Sequence, residues 1–72
     1  MARKYFSLIA RTDPGAPWCV EFGDWNRDVV TEERADYRDH GHRASDLKII
    51  TTDGTQASID AAVAKLNLEL AR

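Results

Sequence analysis

The residues in this chain that could do chemistry are few, and they fall in two places. His40 and His42, with Asp36 and Asp39 just ahead of them, combine imidazole and carboxylate donors of the kind that hold zinc. Their spacing matches no compact metal site. His40 falls where a helix should end, and a cation there is favoured by the negative pole of the helix, so solvated histidines and no metal are the expectation. The second place is Asp53-Gly54-Thr55, ahead of the last helical pattern, where free amides could take an anion. A single glycine makes a phosphate cradle a weak reading, and a turn is expected instead. Cys19 lies in mid-strand, Ser45 and Ser58 lie where loops and caps favour serine, and no nucleophile-elbow motif is present. No catalytic residue and no cofactor are assigned, and the chain is read as not an enzyme.

The elements that would carry these residues follow from periodicity. Lys4 to Thr12 alternates Phe6, Leu8 and Ala10 with Tyr5, Ser7, Ile9 and Arg11, a strand with apolar groups on both sides, as suits the centre of a sheet. Asp13-Pro14-Gly15-Ala16-Pro17 must reverse the chain, and Trp18, Val20 and Phe22 then alternate with Cys19, Glu21 and Gly23, completing a hairpin. Asn26 or Asp28 should cap a helix running to about His40, with Gly41 ending it. That helix is thinly apolar: Val29, Val30 and Tyr37 share a sector, Asp28, Glu32, Asp36 and Asp39 gather opposite, and Arg27, Arg34 and Arg38 fall on a flank. Leu47 to Thr52 reads as a third strand. A closing helix, capped by Thr55 or Ser58, carries the stripe Ile59, Ala62, Val63, Leu66 and Leu70, with Leu68 pointing away.

The order ββαβα implies an α+β domain spanning residues 1–72. A right-handed crossover through the first helix gives a three-stranded antiparallel/mixed sheet of order 2-1-3, and both helices are expected on one face. The covered face would collect Phe6, Leu8, Ala10, Trp18, Val20 and Phe22. The bare face would show Tyr5, Ser7, Ile9, Arg11, Cys19 and Glu21.

Seventy-two residues form one domain, with an expected stability of roughly 3–5 kcal/mol. The composition, 43% hydrophobic and 31% charged with a net charge of −2, disfavours both a disordered chain and a purely electrostatic nucleic-acid binder. Nucleic-acid binding would need Arg3, Lys4, Arg11, Arg38 and Arg43 to converge on one face. A lone cysteine, no leader pattern and no membrane-spanning run indicate a cytoplasmic protein without membrane contact.

Two surfaces remain as candidates. The first is the acidic helix face with the loop before it, Asp24, Trp25, Arg27, Asp28, Glu32, Asp36 and Asp39, which could imitate a run of phosphates and engage a larger protein partner. The second is the bare sheet face, where Tyr5, Ile9, Cys19 and Glu21 could pack against another copy in a homodimer.

The runs Phe22-Gly23-Asp24-Trp25-Asn26-Arg27, Glu32-Glu33-Arg34-Ala35-Asp36-Tyr37-Arg38 and Asp46-Leu47-Lys48-Ile49-Ile50 resemble small uncharacterised proteins encoded by bacteriophages and prophages. The resemblance implies a genomic setting rather than an activity. Phage proteins of this size often block a host factor or defence complex by occupying a surface, which would make the chain a protein-binding inhibitor.

Overall fold

A computed structural model describes residues 3–70, apart from the side chain of Leu70. The elements run β1 (Tyr5–Ala10), β2 (Cys19–Asp24), α1 (Arg27–Asp39), a single 3₁₀ turn (Ala44–Asp46), β3 (Leu47–Thr52) and α2 (Gln56–Leu70). The sheet has the order β2-β1-β3, with β1 antiparallel to both neighbours. This is the α+β, ββαβα arrangement that the pattern implied.

Local chemistry sets the boundaries. In the hairpin turn the Asp13 carboxylate accepts from the Gly15 amide at 2.9 Å, and its carbonyl accepts from Ala16 at 3.0 Å. Asn26 caps α1, its Oδ1 accepting from the Asp28 amide at 2.9 Å. Gly41, at φ +100°, closes the same helix with its amide on the Arg38 carbonyl, and the His42 amide reaches back to Tyr37. Thr55 rather than Ser58 caps α2: its hydroxyl accepts from the Ser58 amide at 3.2 Å and its carbonyl from the Ile59 amide at 3.1 Å.

The helices do not share a face of the sheet, which corrects the two-layer expectation. Leu8, Ala10, Leu47 and Val30 form one core cluster, with Phe6, Phe22, Tyr37 and Ile49 packed around it beneath α1. Ile9, Trp18 and Ile50 form another, packed by Ala62, Val63 and Leu66 of α2. Leu8 and Ile9 are neighbours in a strand, so they point to opposite faces, and each is fully buried. The chain is therefore an α/β/α sandwich around β1, whose residues Ser7 to Ala10 are all buried. Both sides of β1 are apolar because both are covered.

A bulge in β2 explains why the hairpin misled. Leu8 pairs with Phe22 but Ile9 pairs with Val20, so Glu21 is an extra residue. Directly paired residues share a face, which puts Phe22 on the α1 side and Val20 on the α2 side. Trp18, expected beside Phe22, instead packs under α2. Its backbone amide donates to Asn67 Oδ1 at 2.7 Å, and Asn67 Nδ2 donates back to the Trp18 carbonyl at 3.3 Å.

The buried Ser7 lies on the α2 side, and its hydroxyl has no hydrogen-bond partner among the described residues. Asp46 is the other buried polar residue among those described. Its carboxylate accepts from Arg11 Nε at 2.9 Å, while Arg11 also donates to the carbonyls of Pro14 and Ser45 and lies 4.5 Å from the Trp18 ring. This clamp ties the hairpin to the turn ahead of β3.

Candidate protein-interaction surface

Asp28, Glu32 and Asp36 repeat every fourth residue along α1, which stacks them on one side of the helix, and Asp39 ends the line. All four are exposed. Among the described residues, none of their carboxylates makes an ion pair or hydrogen bond, the only ion pair there being Arg11 to Asp46. Asp28 sits in the first turn, where the helix dipole favours an anion. Asp36 and Asp39 lie at the other pole, where each carboxylate costs roughly 0.3–1 kcal/mol. Helix stability alone does not account for acids at that end.

The loop before α1 is partly committed to structure. Asp24 is half-buried and its Oδ1 accepts from the Asn26 amide at 2.7 Å, which sets the entry to the helix. Trp25 is 42% exposed, and the rest of its ring folds back on the molecule. It meets Tyr5 edge-on at 4.8 Å, carries the Arg3 guanidinium 4.8 Å from its ring, and lies so close over Gly54 that a Cβ there would collide with it. Trp25 thus offers one edge beside the acidic line.

Arg27 does not join these acids. With Thr31 and Arg34 it turns toward β3, where these side chains and Leu47, Lys48 and Ile49 line a groove of about 360 Å³. The acids and the cations of α1 therefore serve two separate surfaces. The helical spacing of Arg27 and Arg34 was visible in the sequence, but Leu47 and Ile49 join them only through the fold.

The sheet-face interface does not exist as an open surface. Ile9 is fully buried under α2, and Tyr5 is half-buried with its hydroxyl pressed on Gly23. Cys19 and Glu21 are exposed but belong to the opposite side: Cys19 pairs with Ala10, and Glu21 acts on the phenol of Tyr37. Nor do the basic residues proposed for nucleic acid all converge. Arg11 and Arg43 line one hollow with His40 and His42, where Arg11 is bound to Asp46, but Arg3 stacks on Trp25 at the other end of the sheet.

The histidines border two adjoining hollows of about 270 Å³ each at the C-terminal end of α1. Rings of Tyr37 and His42 lie 5.2 Å apart, and His40 Nδ1 donates to the Asp36 carbonyl at 2.7 Å. Burial, then Glu21 and Glu33, raise the Tyr37 phenol above its ordinary range. No group of three or more metal-ligating side chains occurs among the described residues. Cys19 lines a small recess with Glu21 and His42, but no hydrogen bond joins its thiol to the imidazole among the described residues. At the other candidate anion site, Asp53 takes the place of a ligand: its carboxylate accepts from the Thr55 amide at 2.9 Å and hydroxyl at 2.8 Å. These bonds lower its pKa.

No family model, curated protein or solved structure matches the chain. Among the described residues no helix is long and apolar enough to cross a membrane.

Proposed function

We propose that the protein is a non-enzymatic binding module that lays the outer face of α1 against a basic surface of a larger protein. The observation that carries this reading is the exposed line Asp28, Glu32 and Asp36, continued by Asp39, in which no carboxylate is paired among the described residues. Carboxylates held in a row on a rigid helix present an ordered negative field, which steers association with a complementary positive patch. The free edge of Trp25 at the start of the same helix supplies an aromatic anchor beside the charges.

The finer reading is that the protein acts in the cytoplasm as a phage-encoded inhibitor, occluding a working surface of a host or defence complex. It rests on the resemblance of the Phe22–Arg27 and Glu32–Arg38 runs and on the acidic face.

Affinity capture from host lysate, comparing the protein with the variant D28K/E32K/D36K, tests the reading. A specific partner should be retained at physiological salt, lost at high salt and lost with the variant, whose melting curve should stay cooperative. Retention of nothing at physiological salt, or equal retention by the variant, would sink it.

A further inference from the structure

The two edges of the sheet differ in a way that points to a second binding surface, independent of the acidic face. The β2 edge is broken by the bulge at Glu21 and carries Glu21 and Asp24, devices that discourage strand addition. The β3 edge is regular: its six residues pair with β1 without a register shift. Hydrogen bonds alternate along an antiparallel ladder, and the donation from the Arg11 amide to the Asp46 carbonyl sets the phase. It follows that the amides and carbonyls of Leu47, Ile49 and Thr51 point away from β1; the Leu47 amide is taken by the Ala44 carbonyl, which leaves the Leu47 carbonyl and both groups of Ile49 and Thr51 in the open. Leu47 and Ile49 also line the groove of about 360 Å³ whose other wall holds Arg27, Thr31 and Arg34, with Lys48 at the rim. Neither arginine makes an ion pair among the described residues, and no acid lines the groove.

We propose that the β3 edge takes an extended acidic peptide segment as a fourth strand. Backbone groups of the peptide pair with the Leu47 carbonyl and with Ile49 and Thr51, and carboxylates two residues apart on one side meet Arg27 and Arg34. Strand addition of this kind draws affinity from main-chain hydrogen bonds and specificity from alternate side chains. Charge selects the occupant. A second copy pairing edge to edge would bring Lys48 and the arginines against their own kind, which is destabilising, whereas an acidic strand is complementary.

The probe is a fluorescein-labelled decapeptide alternating Glu and Val, titrated into the full chain and followed by anisotropy and by backbone amide NMR. It should bind, shifting the amide signals of Ile49 and Thr51. R27Q and R34Q should each weaken it about threefold, the size of one exposed charge contact, while D28N/E32Q/D36N leaves it unchanged. The same peptide with alternate amides N-methylated, so that one edge has no donors, should bind at least about tenfold more weakly. Equal binding of the N-methylated peptide would show charge capture without strand addition and overturn the proposal. Tighter binding of a ten-nucleotide oligothymidylate would overturn it in favour of a phosphate backbone. Absence of binding, or shifts confined to other strands, would also overturn it. None of these results touches the acidic face of α1, so this surface and the proposed function fail separately.

Discussion

The two helices divide the work of the molecule. The apolar stripe of α2, with Ile59 buried and Ala62, Val63 and Leu66 against Ile9, Trp18 and Ile50, makes it a cover for the sheet. Most of α1 is charged, and Val30 is its one fully buried residue, with Tyr37 half-buried beside it. A helix that gains so little from burial must be held by its caps and by a narrow anchor over Leu8. The difference teaches that one layer supplies stability while the other displays charge: acids outward on α1, cations toward the edge of β3.

The sharpest way to break this comparison is to test whether both layers are needed. Leu8→Ala and Ile9→Ala remove neighbouring, fully buried side chains that face different helices. Each should cost about 2–5 kcal/mol, on the order of the whole stability of a domain this small. Urea melts showing that only one of the two is costly would mean that only one face of β1 is covered. A smaller effect is expected at the clamp between the layers. Asp46→Asn keeps the size of the side chain but removes the charge that Arg11 binds, at a cost of about 2 kcal/mol, the scale of a buried hydrogen bond to a charged group. A thermal melt within experimental error of the parent would show that the pair is ornamental. The smallest effect should have the opposite sign. Ser7→Ala deletes a buried hydroxyl without a partner on the α2 side, so stability should be unchanged or rise by up to about 1 kcal/mol. A loss larger than that would mean the hydroxyl is bonded in solution.

Most of the fold was readable because its signals are local. The extent of β3, the Asn26 cap, the Gly41 stop and the exposed Leu68 follow from neighbours within a few positions, and the strand order follows from the handedness of the crossover through α1. Even the second covered face was written in β1, since Ile9 is as apolar as Leu8 and needs shelter. The one-face reading failed because Trp18, Val20 and Phe22 look like a single apolar side, and nothing in their alternation discloses that Glu21 is bulged. A bulge is decided by pairing with another strand, as is the meeting of Arg11 with Asp46, 35 positions away. The acidic line on α1 was legible from helical spacing alone. The basic groove was only half legible, because Leu47 and Ile49 reach it through the tertiary path of the chain and not through any periodicity.

The paired hydrogen bonds between Asn67 and the backbone of Trp18 close a span of 49 positions with one carboxamide. That carboxamide acts as a lone rung of a ladder, offering acceptor and donor where a neighbouring strand is missing. Fraying at the carboxyl end of α2 as far as Asn67 would therefore unlatch the return arm of the hairpin, so that two regions distant along the polypeptide breathe as one cooperative unit.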